Sequence, residues 1–350
     1  MQSLKGAVIG YGFIASTGHV PAYLERRRTH GDVEILALAD GCEARRVAAG
    51  RALPGARVYS DFRDLLEREA PRLDFVDICT PPAMHAEIAR QAFARGLHVM
   101  CEKPLAVRPQ DAMDMLGQAV SAGRVLFPCH NYRFAPVVRE INRIIGEGRI
   151  GKARSVTLST FRPTHARGVR EWQPDWRRDP AQGGGGIAMD HGSHSFYLTF
   201  DWMGSYPRAV TAQCLRLPGE KTESEVSATL QFPNGLAQVY LSWNAGVRKV
   251  IYTVQGTNGA VIVDDDDLQV ASIFRPAEPE RRKIASDWGD ASHVHWFEPL
   301  FERFRAAIAE RDHAGRDARE AVLCVDLIDA VYRSAGQGGR EIRLSRPDAA

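Results

Sequence analysis

Between residues 5 and 127, apolar strand-like runs alternate with helical patterns, and nothing else in the chain restricts its fold as strongly. GAVIG, EILALAD, FVDICT, LHVMCEK and RVLFPC are separated by segments such as DFRDLLEREA and HAEIARQAFARG. Strands joined through helices pair in parallel, with right-handed crossovers. The first run leads into Gly10-Tyr11-Gly12-Phe13-Ile14-Ala15. In such a loop the first glycine permits a tight turn and the second lets a ligand approach the main chain, while the small Ala15 lets the following helix pack closely. Phe13 and Ile14 fill the turn before that helix, whose unpaired N–H groups attract an anion such as a pyrophosphate.

The end of the second strand sharpens this reading. Asp40 stands where a carboxylate accepts the hydroxyls of a ribose and repels a 2′-phosphate, which favours NAD over NADP. Gly41 rather than Arg follows it, although Arg45 and Arg46 pull the other way and Asp40 also suits a helix N-cap. The fourth strand runs into Cys79-Thr80-Pro81-Pro82, where two prolines remove donors and leave a rigid lip at the carboxyl edge of the sheet. His85, just beyond, is read either as a cofactor contact or as a first-turn surface residue.

After about Cys129 the rhythm changes to longer strands with polar alternation: ARSVTLSTF, RAVTAQCLRL, SEVSATLQF, LAQVYLSW and RKVIYTVQGTNGAVIV. Two late helices follow, HWFEPLFERFRAAIAE and DAREAVLCVDLIDAVYRSA. The expectation is an α/β protein. An N-terminal Rossmann dinucleotide-binding domain spans 1–128, and a C-terminal α+β domain with an open, mainly antiparallel sheet spans 129–350. Asn-Gly at 234–235 and 258–259 marks hairpin turns, and the aspartates at 264–267 read as a solvated turn rather than a metal site.

Composition removes several function classes. Acids and bases nearly balance, at a formal net charge of +2, so no basic stripe points to nucleic acid or to anionic lipid. No run reaches the roughly 20 apolar residues of a membrane-spanning helix. The six cysteines show no paired spacing, which suits reduced thiols and a cytoplasmic protein.

Taken in order, Gly10 to Ala15, Cys79-Thr80-Pro81-Pro82, Cys101-Glu102-Lys103-Pro104, Trp176-Arg177, the glycines at 183–186 and Asp190-x-Gly192-x-His194 carry a likeness. They resemble the glucose-fructose oxidoreductase / inositol dehydrogenase / rhizopine catabolism family over nearly the whole chain. The resemblance implies an NAD(P)-dependent dehydrogenase acting on a sugar, a cyclitol or a derivative. It makes Lys103 the catalytic lysine, with Asp190 and His194 completing the site, and it puts Thr80, Pro81, Glu102, Trp176 and Arg177 against the cofactor. It also implies a homodimer or homotetramer joined through the open face of the second sheet. Two positions depart from the pattern: Tyr197 replaces a frequent aspartate, and His191 is an unusual neighbour for Asp190.

The residue types suit that chemistry. Oxidising a secondary alcohol needs a hydride acceptor at the carbinol carbon and a base for the hydroxyl proton. Lys103 follows the fifth strand, at the carboxyl edge of the sheet. Asp190 and His194 lie one helical turn apart and share a face. His194 is read as the general base, oriented by Asp190, and Lys103 as the group that stabilises the alkoxide; exchanged roles satisfy the same chemistry. Taken singly, Lys103 reads as a surface lysine and His194 as a core histidine. Asp190, His191 and His194 match no zinc spacing, and no metal is expected. Lys103, Asn131, Arg133, His165, Asp190 and His194 are the candidate contacts for a small polyhydroxylated substrate. The stretch 160–180, with Arg162, His165, Arg167, Arg170 and two tryptophans, reads as a loop over the site or as a basic surface. Two other functions stay open: non-redox glycoside cleavage or elimination through transient oxidation, and a non-catalytic dinucleotide sensor.

Overall fold

Strands buried on both faces need helices on both sides, and the first half of the chain supplies them. A computed structural model describes residues 3–274, 278–289 and 292–344. β1 (Leu4–Ile9), α1 (Val20–His30), β2 (Val33–Ala39), α2 (Glu43–Ala52), β3 (Arg57–Tyr59), α3 (Phe62–Glu69), β4 (Phe75–Ile78), α4 (His85–Phe93), β5 (His98–Cys101), α5 (Pro109–Ala122) and β6 (Leu126–Pro128) alternate in strict order. Their sheet runs β3-β2-β1-β4-β5-β6, all parallel. The strand order reverses between β1 and β4, where the carboxyl ends open a crevice in such sheets.

The remaining elements are α6 (Pro136–Gly146), β7 (Ala153–Phe161), α7 (Pro180–Gly183), α8 (Ile187–Met203), β8 (Ala209–Leu215), β9 (Glu225–Phe232), β10 (Gly235–Ser242), β11 (Lys249–Gly256), β12 (Gly259–Asp264), β13 (Asp267–Ser272), β14 (Glu280–Lys283), α9 (Val294–Glu310), α10 (Arg316–Gly336) and β15 (Ile342–Arg343). The second sheet is ordered β14-β13-β12-β11-β7-β10-β9-β8-β15. It is antiparallel except between β7 and β10. Both Asn-Gly pairs lie in hairpins, β9–β10 and β11–β12. The aspartate run turns β12 into β13, with Asp265 at φ 53° and Asp264 paired to Lys249. The sheet alternates as a one-sided core demands: Val226, Ala228, Leu230, Ala237, Val239 and Leu241 are buried, whereas Leu236, Tyr240 and Ile262 are exposed on the other face.

Two compact units emerge, and neither is one continuous stretch. The first comprises 1–131, 167–184 and 292–322; the second comprises 132–166, 185–291 and 323–350. The first crossing falls three residues beyond the boundary read from the sequence. The two returns to the first unit have no counterpart in that reading. The return at 292–322 also corrects the placement of a helix: α9 belongs to the parallel-sheet unit rather than to the second sheet. Its Phe301 and Phe304 pack on Phe75, with ring centroids 5.8 and 5.5 Å apart, and Phe304 also meets Phe127 at 5.6 Å. Phe75 in turn occupies space left by Gly6 on the adjoining strand, where a Cβ would come within 2.2 Å of the ring.

Candidate active site

At the carboxyl edge of the first sheet, local backbone geometry shapes a cleft. Gly10 adopts φ 94°, and a Cβ there would meet the Cys79 main chain at 2.9 Å. Only glycine satisfies both conditions. At Gly12, by contrast, the space a Cβ would fill is open. A cleft of about 1040 Å³, open to solvent, is lined by Gly10, Gly12, Phe13, Ile14, Asp40, Thr80, Pro81, Trp176 and Arg177, all of them residues singled out from the sequence. Cys42, Asp61, Arg63 and Met84 add to the wall without having been foreseen; Arg45 joins it, and Gly168, Val169 and Trp172 come from the stretch read as a loop over the site. These last three arrive with 167–184, so much of the basic, tryptophan-containing stretch walls the cleft inside the first unit.

The cleft's chemistry suits a dinucleotide. The Thr80 hydroxyl is buried and has no hydrogen-bond partner, an unmet donor that a bound group can satisfy. Asp40 accepts N–H bonds from Tyr11 (2.6 Å) and Cys42 (2.8 Å), which fix its carboxylate at the rim with lone pairs to spare for hydroxyls. Arg45 donates to the Tyr11 carbonyl, and Arg46 to the carbonyls of Asp40 and Gly41. Both arginines are thereby engaged with the main chain of the loops they might otherwise have made attractive to a 2′-phosphate.

Two of the expected cofactor contacts lie elsewhere. His85 is fully buried, with Nε2 2.8 Å from the Thr80 carbonyl and Nδ1 3.0 Å from that of Pro104. It ties the Thr-Pro-Pro lip to the loop after Lys103, which corrects the reading of it as a surface residue. Glu102 is also buried; its carboxylate accepts the Lys103 N–H at 3.1 Å and bonds to His19. Lys103 itself follows β5 and is half-buried. Asn131 is 5% exposed, and its side-chain oxygen has no partner.

The second unit carries Asp190 and His194 on α8, one turn apart as expected. The start of this helix is stitched down by a residue far along the chain. Glu223 accepts the N–H of Gly186 (3.1 and 3.0 Å) and of Ala188 (2.9 Å), its main-chain oxygen accepts that of Ile187, and Tyr332 donates its hydroxyl to the same carboxylate. Three N–H groups that a helix start normally leaves unsatisfied are thereby met. Burial raises the Glu223 carboxyl above its usual range, and these donors oppose the rise. The glycine run is explained by the same contacts, since a Cβ on Gly186 would lie 1.9 Å from the Glu223 carbonyl oxygen and one on Gly185 2.1 Å from the Tyr332 hydroxyl.

His194 is 4% exposed, and its Nδ1 lies 2.8 Å from the Tyr197 hydroxyl. Tyr197 also accepts the Tyr132 N–H at 3.1 Å, and the Tyr132 ring stacks on the imidazole at 3.9 Å. Burial pushes the Tyr197 phenol well above its ordinary range, so it remains a neutral partner. The sequence reading gave the orienting task to Asp190 and treated Tyr197 only as a departure; the hydroxyl of Tyr197 stands at Nδ1 of this ring. Arg133 forms a bidentate pair with Asp201 on α8 (2.9 and 3.3 Å) and lies over the Tyr197 ring. This pair ties the residue, a candidate substrate contact in the sequence reading, to helix α8. His165 is 7% exposed, near Thr164 and the Trp243 ring.

The six cysteines are free thiols, and among the described residues no helix is long and apolar enough to cross a membrane. Comparison with known proteins agrees with the architecture. Residues 4–130 match a family profile described as an oxidoreductase family with an NAD-binding Rossmann fold, and residues 138–262 match the GFO/IDH/MocA C-terminal domain. The chain is 31% identical to the D-glucoside 3-dehydrogenase of Escherichia coli, with 96% of this chain and 97% of the relative covered. It is 26% identical to the levoglucosan dehydrogenase of Pseudarthrobacter phenanthrenivorans, over 84% and 82% of the two chains. A solved levoglucosan dehydrogenase in complex with NADH and levoglucosan superposes with a TM-score of 0.85 at 23% identity, covering 99% of this chain and 100% of that one, a likeness of fold. The chain therefore belongs to the Gfo/Idh/MocA oxidoreductase family and is an NAD-dependent dehydrogenase of that family.

Proposed function

We propose that this dehydrogenase interconverts a secondary alcohol and a ketone on a sugar, cyclitol or sugar derivative, with Lys103 and His194 handling the proton. The observation that carries the reading is the setting of His194, whose Nδ1 is held by a buried, neutral Tyr197 on a helix capped from Glu223. A histidine so fixed exchanges its proton at one atom, as a general base must. When bound, NAD supplies the hydride acceptor or donor. Lys103 steadies the developing negative charge on the substrate oxygen, and Asp190 adds a carboxylate on the His194 face of α8. The named relatives act on a glucoside and on levoglucosan, both polyhydroxylated rings, which supports that substrate class. Assembly into a homodimer or homotetramer through the exposed face bearing Leu236, Tyr240 and Ile262 completes the proposal, and light scattering on the purified protein tests it.

The decisive experiment follows NADH formation with NAD⁺ against a panel of glucosides, anhydrosugars, inositols and aldoses, beside Lys103→Ala. The expected result is turnover that the variant loses by at least about 100-fold, with NADH affinity held within a few fold. Near-normal kcat in Lys103→Ala overturns the assignment. Product formation without NADH accumulation replaces net oxidation with transient-oxidation cleavage, and tight NADH binding without any turnover favours a sensor.

A further inference from the structure

Lys103 follows a buried carboxylate, and behind that carboxylate runs a continuous chain of buried polar groups within the first unit. Tyr23 donates its hydroxyl to Asp77 Oδ2 at 2.8 Å, and His19 Nδ1 lies 2.7 Å from the same oxygen. His19 Nε2 lies 3.0 Å from Glu102 Oε1, and Glu102 Oε2 accepts the Lys103 N–H at 3.1 Å. His19 is 1% exposed and Asp77 0%. Each ring nitrogen thus faces a carboxyl oxygen, an arrangement that two N–H donors satisfy and that a neutral ring meets only where one carboxyl keeps its proton. Burial opposes a charge on His19, but the Asp77 carboxylate outweighs it and holds the imidazole well above its ordinary pKa. Burial likewise opposes ionisation of Glu102, and the bond from His19 reverses the balance.

The ring is also held sterically. It enters from a π-helical turn, Ala15–His19, and lies 4.2 Å from the Phe297 ring of α9. A Cβ on the neighbouring Gly18 would meet Phe297 at 2.7 Å, so the close approach depends on glycine. His19, Asp77 and Cys129 bring possible ligand atoms within 4.8 Å of one another. The Nδ1–Oδ2 contact has the length of a hydrogen bond, and burial pushes the Cys129 thiol well above its ordinary range.

We infer that His19 is a positioning residue for the reaction: an imidazolium clamped between Asp77 and Glu102 that fixes, through Glu102, the main chain at Lys103. This rests on the reading of Lys103 as catalytic. It adds a residue outside the glycine loop and the helix α8 whose loss is felt at the reacting bond.

The test uses the full chain with NADH bound. With ¹⁵N-labelled histidine, assigned against His19→Gln, the His19 ring is expected to keep imidazolium shifts through neutral pH; a neutral ring there overturns the clamp. In His19→Gln, amide exchange over residues 101–104 is expected to rise by more than exchange elsewhere in the parallel sheet, with NADH affinity held within about 3-fold. For levoglucosan or methyl glucoside, whichever is turned over, kcat is expected to fall about 10- to 100-fold with little change in KM, the scale of a small misplacement at the reacting atoms. Glu102→Gln, of the same shape, should show the same pattern and carries the test if His19→Gln does not fold. Unchanged exchange and unchanged kcat in a folded variant overturn the inference. If instead Lys103→Ala retains its kcat, the catalytic reading fails while the exchange and NMR results still decide whether the clamp exists.

Discussion

The glycine loop and helix α8 solve the same problem, holding chemistry in place, by different means. The loop is built from main chain: Gly10 takes a conformation and a spacing that no other residue fits. Helix α8 is built from side chains brought from afar. Its start is tied by Glu223 and Tyr332, its histidine by Tyr197 and Tyr132, and its later turns by Arg133. A backbone device tolerates no substitution at its one key residue and shows itself as a short motif. A side-chain device spreads the work over many residues, so each loss is partial.

That contrast can be broken at its strongest point first. Gly10→Ala combines a strained φ, worth about 1–3 kcal/mol, with a clash against the Cys79 main chain, and NADH affinity should fall by more than about 100-fold in a fluorescence titration. Binding within a few fold of wild type would show that the loop adapts and that the contrast is false. On the other side, Tyr197→Phe removes one hydrogen bond to His194 and should lower kcat by about 10-fold, with the dissociation constant for NADH unchanged. A loss as large as that from Lys103→Ala would mean that the side-chain device is as brittle as the backbone one.

The smallest effect concerns pH. The folded-state pKa of His19 lies above its ordinary value of 6.5, so the stability it contributes is complete below about pH 6.5 and is lost as pH rises through the folded pKa. Thermal denaturation should therefore show a melting temperature that declines on the alkaline side more steeply in wild type than in His19→Gln. Parallel curves for the two proteins would remove His19 from the account.

The same contrast separates what the amino-acid sequence discloses from what it hides. The parallel sheet, the loop and Asp40 are legible in it because their signals are local: period, glycine spacing, a strand end. Lys103 and the Asp190–His194 pair stand out through motif likeness. Glu223 and Tyr332 are silent, since each acts on a residue tens of positions away and neither carries a local signature. Arg133 and His85 look like site residues because charge and place suggest it; only their partners, Asp201 and two carbonyls, reveal a bracing role. The short strand β14, Glu280–Lys283, has no apolar residue to alternate and depends on its pairing with β13. His19 lies just past the motif window, in a π-turn that no helical period announces.

The path of the chain has a consequence for its birth. The aromatic layer that seals the parallel sheet comes from Phe301 and Phe304, and one wall of the nucleotide cleft comes from 167–184. During synthesis, the segment that bears Phe75 must wait with that ring uncovered until Phe301 and Phe304 have been made. A gene cut after residue 131 would yield no portable cofactor-binding cassette, only a sheet missing part of its lining, and recombination that shuffles such halves has to exchange three pieces together.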